Sequence, residues 1–290
     1  MTRNPASLAE MQHDQHLRVI GTDYSDAIAN ALPPACSIIH LAAQRNAPVQ
    51  SPNVYEPANV AVAETLTRAA ITRSAMRLVH VSTALVLGSS ADPIDETHPL
   101  DDGRAGAYVR SRITGLLAVE RIAGDTLPLV TLLPSIIFGP DHPRAHNRIT
   151  AHIRRVLRAP LRVAIGRRQP QRNLVFVEDV VQAIARAEQH DTPRGRAIVS
   201  GENVTQEQLE AEVCAAAGKT VPRRIVLPGA LAVGAARAMD ALLRFDPASG
   251  WTIRMRTLLQ PWCLQPRNVT SFAEGIRRTV HSVLAEQKAA

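Results

Sequence analysis

MRLVHVST, residues 76–83, decides how the rest of the chain is read. Its apolar and β-branched side chains run almost without interruption instead of alternating with polar ones, as in a strand buried on both faces. HLRVIGTD (16–23), CSIIHLAA (36–43) and LPLVTLLPSIIFG (127–139) read the same way. Between these runs, NVAVAETLTRAAITRSA (59–75) and AYVRSRITGLLAVERIAG (107–124) repeat small and apolar residues at helical spacing, the second with Gly124 as its stop. Strands alternating with helices predict an α/β fold with a doubly wound parallel sheet.

The 290 residues are 46% hydrophobic, enough for a sizeable core and too apolar for disorder. Lys plus Arg total 33 against 26 acids, a net charge of +7, yet only Lys219 and Lys288 are lysines. With aromatic residues at 3%, few stacking platforms exist, so nucleic acid is not an expected partner. Cys36, Cys214 and Cys263 are odd in number and lack CxxC spacing, which argues against a disulfide framework or a zinc site. No apolar run reaches the roughly 18 residues of a spanning helix, and no charged-then-apolar leader opens the chain. A soluble, cytoplasmic protein without a membrane partner is expected.

After Pro140 the texture changes: prolines recur at 143, 160 and 170, and arginine and histidine become frequent. A lobe boundary is placed here, with 1–140 and 172–190 in one lobe and 141–171 and 191–290 in a smaller second one. NLVFVEDVVQAIARAEQ (173–189) reads as a strand and a helix with Asp179 at its N-cap, and AIVSG (197–201) as a further strand. The arginine-rich segment 144–162 reads as a solvated basic face or, alternatively, as a contact for phosphate or carboxylate. His146 and His152 lack a companion carboxylate cluster, so no metal site is expected.

Eight segments in order resemble one known family. GTDYSD (21–26) resembles its GDLTD-type turn, IIHLAA its cofactor-side strand end, and NVAVAETLTRAA its NVxGTxxxLxAA helix. RLVHVSTALVLG (77–88) resembles VSSxxVYG, AYVRSR resembles YxxxK, and LLPSIIFGP (132–140) resembles RPxxVYGP. LVFVEDVVQAI (174–184) and PRNVTSFAEGIRRTV (266–280) are similar to its VHVDDVAxAI and PxxxxxEGIxxTV stretches. The chain thus resembles the extended short-chain dehydrogenase/reductase family of epimerases, dehydratases and reductases. The resemblance implies NAD or NADP as cofactor, a small-molecule substrate with a hydroxyl or keto group, and a homodimer paired through the helix that bears YxxxK.

It also implies roles. Tyr108 matches the tyrosine that exchanges the proton, and Thr83 the hydroxyl that holds the substrate oxygen. A free phenol titrates at about 10, so a neighbouring cation is needed to stabilise its anion near neutrality. The family uses lysine, which also clamps the cofactor ribose; here Arg112 stands one helical turn from Tyr108. A planar guanidinium keeps the charge but does not reproduce the lysine head. Asp23, Ala42, Ala43, Asn59 and Pro134 match family positions around the cofactor. Each also has a plainer reading, as a turn residue, simple packing, a helix N-cap or a strand terminator.

The family's opening βαβ unit and Gly-rich phosphate loop find no match, because Gly21 is followed by no glycine until Gly88. The expected architecture is therefore a Rossmann-like sheet lacking that first unit, N-terminally incomplete relative to the family, with a C-terminal substrate lobe. Two functions stay open: an NAD(P)-dependent oxidoreductase, epimerase or dehydratase, or a non-catalytic relative that keeps the fold for binding. LPGALAVGAARAMDALLR (227–244) leans toward the reductase-like branch.

Overall fold

The computed structural model describes residues 28–45, 54–101, 106–140, 147–158, 161–166, 169–189, 193–245, 250–267 and 269–289. The strand expected at 16–23, the GTDYSD turn with Asp23, and His146 lie outside the described residues.

Four parallel strands, β1 (Ser37–His40), β2 (Arg77–Val81), β3 (Leu129–Pro134) and β7 (Gly195–Val199), form a sheet in the order β1-β2-β3-β7. Every residue of β3 is buried, as a central parallel strand requires. Alternate side chains serve two cores. Ile38, Leu78 and Leu129 pack against Leu66 and Ala70 of α2 (Val62–Thr72) and Val119 of α3 (Ala107–Ala123). Val79, Val130 and Leu132 point the other way, toward Val180 and Ala187 of α5 (Val177–Glu188). A two-residue period with apolar side chains at both phases produces a sheet covered on both faces.

The run 127–139, expected as one strand, is two. β3 ends at Pro134, and after Ser135 the chain enters β4 (Ile136–Phe138), which pairs in parallel with β6 (Arg172–Phe176). β6 pairs antiparallel with β8 (Glu202–Val204), completing a second sheet. β7, from the stretch assigned to the second lobe, thus sits in the first sheet, while β6 sits in the second. The second sheet packs on α4 (Arg148–Arg158), α6 (Gln206–Ala216) and α9 (Phe272–Ala289), with Phe138, Phe176 and Phe272 in ring contact at its centre. Gly275 of the EGI stretch lets α9 approach closely: a Cβ there would lie 2.8 Å from the Phe138 ring.

Asp179 does not cap α5. The helix starts directly after β6 with Phe176 at the cap position, and Asp179 is buried inside the first turn. Its carboxylate accepts hydrogen bonds from Val269 N, Thr270 N and Thr270 Oγ1, stitching α5 to the segment that leads into α9. Part of the basic segment is spent on ion pairs within the chain: half-buried Arg154 pairs with exposed Glu286 at 2.8 Å, and buried Arg162 pairs with Glu210.

A third unit is thinner. β5 (Leu161–Ile165) and β9 (Arg223–Leu227) form a parallel two-stranded ribbon, followed by α7 (Gly229–Leu243) and α8 (Trp251–Leu259). Asp240 of α7 holds the start of α8, accepting from Trp251 N at 2.7 Å and Thr252 N at 2.8 Å. None of the described residues of α8 is buried.

Candidate active site

Open parallel sheets bind ligands beyond the carboxyl ends of their strands. There, β1 runs into Leu41–Arg45, β2 into Ser82 and Thr83, and β3 into Ser135. Thr83 caps a single 3₁₀ turn, Ala84–Leu87, its Oγ1 accepting from Leu85 N at 3.3 Å. The hydroxyl keeps its own hydrogen to donate elsewhere. Val81 stands opposite Leu132 in the β2–β3 register, which carried two residues further brings Thr83 level with Pro134.

Tyr108 lies in the first turn of α3 and Arg112 one turn on. Arg112 is 3% exposed, its Nη2 donates to Val81 O at 2.6 Å, and its buried Nε has no partner among the described residues. The half-buried Tyr108 ring meets Tyr55 edge-on, with centroids 5.7 Å apart. Burial pushes the Tyr108 phenol above its ordinary value, and the charges of Arg112 and Arg45 oppose the shift only in part. The phenol is therefore protonated at neutral pH.

Beneath this pair lies a feature the motifs did not disclose. His40 and His80 face each other across β1 and β2, with their Nδ1 atoms 3.0 Å apart. One ring donates and the other accepts. Burial, and then the Arg112 charge, lowers His40 to about 4; burial, then His40 and Arg112, holds His80 well below the usual range. At neutral pH both rings are uncharged, and the Arg112 cation rests beside a neutral pair.

Asn59 is not an N-cap. It sits inside a π-helical turn, Pro57–Ala61, that precedes α2, a local widening frequent at functional sites. Its Oδ1 accepts from Gln44 N at 2.7 Å, and its Nδ2 donates to Gln44 O and, at 3.0 Å, to Ser111 Oγ. Ser111 Oγ in turn donates to Tyr108 O at 2.7 Å. Gly115, one turn beyond Ser111, makes this approach feasible, since a Cβ would sit 2.4 Å from Asn59 O. Asn59 thus fastens the loop after β1, with half-buried Ala42 and Ala43, to the helix that carries Tyr108.

The structure links Asn59 to Tyr108 through Ser111, sets Arg112 one helical turn on with its bond to Val81 O, and places Thr83, Ala42, Ala43 and Pro134 at the same sheet edge. Ser111, Gln44, Arg45 and the two histidines were not singled out from sequence. Only Ser111 left a signal, being on the Tyr108 face at a helical spacing. Among the described residues no group of three or more His, Cys, Asp or Glu side chains is placed to hold a metal ion.

Residues 2–201 match the sequence profile described as the NAD dependent epimerase/dehydratase family. The chain belongs to that family. Solved epimerases and dehydratases share its fold. The dTDP-glucose 4,6-dehydratase DesIV from Streptomyces venezuelae, solved with NAD, aligns over 99% of this chain and 85% of its own at 20% identity and a TM-score of 0.73. The UDP-glucose 4-epimerase from Thermus thermophilus, also with NAD, aligns over 89% and 80% at 22% identity and a TM-score of 0.66. The protein gox2253 gives a TM-score of 0.79 at 20% identity, over 99% of this chain and 89% of its own. Among curated proteins nothing matches.

An epimerase/dehydratase-family fold raises the question of whether the residues present suit a dinucleotide. At the strand ends they do. Among the described residues, buried Ser82 Oγ, Ser135 Oγ, Arg112 Nε and His40 Nε2 find no hydrogen-bond partner, beside the half-buried Tyr108 phenol. Such orphaned groups suit a polar ligand at this edge.

Proposed function

We propose that this chain is an NAD-dependent oxidoreductase or epimerase that interconverts a hydroxyl and a keto group on a small molecule. The observation that carries the reading is the Tyr108–Arg112 pair, one helical turn apart and anchored on Val81 O, at the sheet edge that also carries Thr83. Bound NAD would supply the acceptor or donor of hydride. Tyr108, Arg112, Thr83, Asn59, Ala42, Ala43 and Pro134 would line that ligand, with Asp23 on its adenine side. The lobe of 1–140 and 172–190 would hold the cofactor and the remainder the substrate. NAD is preferred over NADP because the family description and the solved relatives name NAD.

In this reading the protonated Tyr108 Oη gives its proton to a carbonyl oxygen, which Thr83 Oγ1 holds by hydrogen bond. In the reverse direction Arg112 lessens the cost of the phenolate. Asn59 and Ser111 hold the first turn of α3 and so aim Tyr108. α3 is also the proposed dimer contact.

A second reading, a ligand-binding relative without turnover, draws on one observation. Arg112 is buried and bonded to the strand carbonyl, leaving little of it exposed to grip a ribose. Calorimetric titration with NADH and NADPH separates the two, followed by turnover assays on hydroxyl and keto substrates. Micromolar NADH binding is expected, with Tyr108→Phe lowering kcat about 100-fold or more while NADH still binds. Arg112→Lys is expected to raise turnover. A folded chain that takes up neither cofactor sinks the enzymatic reading.

A further inference from the structure

The floor under Arg112 departs from the rest of its sheet face. On the side that meets α2 and α3, the opposed residues Ile38, Leu78 and Leu129 are aliphatic and lie in the core. Two residues further along the strands, the same side carries His40, His80 and Thr131 in register across β1, β2 and β3. All three are buried, at 4%, 1% and 1% exposure. Burying polar side chains costs free energy that aliphatic ones at this level would not. For packing alone, a further aliphatic layer would do better.

Arg112 accounts for the choice. Its guanidinium is buried, and among the described residues it pairs with no carboxylate. Its charge bears on both imidazoles, and of the titratable groups around it only Tyr108 favours the cation. Arg162, buried to a similar degree, is treated differently, because Glu210 neutralises it. A carboxylate at position 40 or 80 would bind Arg112 tightly and cancel its field at Tyr108. Neutral imidazoles, fixed against each other by their 3.0 Å Nδ1 contact, solvate the guanidinium and leave its charge intact. The other titratable groups that bear on Tyr108 are Tyr55 and Arg45, and Arg45 is exposed, so that water screens it.

We propose that His40 and His80 are positioning residues for Tyr108: a neutral floor, locked by its own hydrogen bond, that seats the Arg112 guanidinium without neutralising it and so leaves its charge to the Tyr108 phenolate. This role rests on the enzymatic reading above, in which Tyr108 exchanges the proton.

The full chain is labelled with ring-fluorinated tyrosine, whose phenol titrates at lower pH than that of tyrosine itself. Its three tyrosines are followed by fluorine NMR, with Tyr108→Phe identifying the signal. His80→Glu is expected to raise the Tyr108 midpoint by about one pH unit or more, an about tenfold loss of phenolate near neutrality. His80→Gln, polar and neutral, should leave it within about 0.3 of a unit. In turnover, the limb of kcat/KM against pH that reports the phenol should move by the same amount.

A folded His80→Glu chain with an unmoved phenol overturns the proposal, because a carboxyl in contact with an unpaired buried cation ionises and cancels it. So does an equal shift in His80→Gln, which would make the histidines ordinary packing. Where His80→Glu does not fold, His40→Glu, on the neighbouring strand, reads the same shift. Titration and turnover fail separately. A shifted phenol in a chain that turns nothing over keeps the effect of the pair and ends the enzymatic reading, and an unmoved phenol in an active enzyme does the reverse.

Discussion

β2 and β9 are five-residue strands of nearly the same make-up, RLVHV and RRIVL, and they meet opposite fates. Four of the five β2 residues are buried, whereas four of the five in β9 are exposed. The side chains do not differ enough to explain this; the neighbours do. β2 has a strand on each side and a helix layer over each face, while β9 has one partner strand and incomplete cover. Hydrophobicity makes a strand eligible for burial, and the number of covered faces decides how much of it is realised.

The comparison can be broken by mutation. Leu78→Ala in β2 removes a side chain that is 1% exposed and packed on the α2–α3 core, and should cost about 2–5 kcal/mol in urea unfolding. If it costs no more than a surface change, the sheet is not covered as described. Gly115→Ala drives a Cβ against Asn59 O and should cost about 1–3 kcal/mol. Because the strain falls between Asn59 and the Tyr108 helix, it should also weaken any ligand bound at the sheet edge. A cost without any change in the site would detach Asn59 from Tyr108.

The buried histidines give the sheet a pH signature that β9 lacks. Below its unfolded value of 6.5, His40 takes up a proton in the unfolded chain before it does in the folded one, whose value is about 4. Stability from the neutral pair is therefore complete above 6.5 and falls as pH drops from 6.5 toward 4. His40→Gln should flatten that part of a melting-temperature profile, and an unchanged slope would refute the neutral pair. The smallest effect is expected on the exposed ribbon: Ile225→Ala, at 45% exposure, should change stability by about 0.5 kcal/mol or less. A larger loss would mean that β9 is covered in solution.

The sheet was legible in sequence where burial on two faces leaves long apolar runs, as in 36–43 and 76–83. It was misread where one apolar run serves two sheets: Pro134 was open to reading as a strand terminator, but nothing in LPLVTLLPSIIFG shows that the residues after Ser135 start a strand of another sheet. Asp179 was read as a cap, and Asn59 as either a residue beside the cofactor or a cap, because short polar side chains before or early in a helix have that meaning locally. Their actual partners, Thr270 and Ser111, lie 91 and 52 residues away. The Tyr108–Arg112 pair was visible because helical spacing is local. The His40–His80 contact was not, since only strand register brings the two rings together.

That one residue, Ser135, separates two sheets has a mechanical consequence. Successive Cα atoms are about 3.8 Å apart, so the end of β3 and the start of β4 cannot part by more than two such links. The chain crosses between the sheets again at Ser200 and Gly201, beside the first crossing, so any relative motion there is a rotation about a hinge through these two points, with almost no sliding. The first crossing lies directly after Pro134, level with Thr83. A ligand at the proposed site would therefore rest against the hinge that carries the Phe138 core.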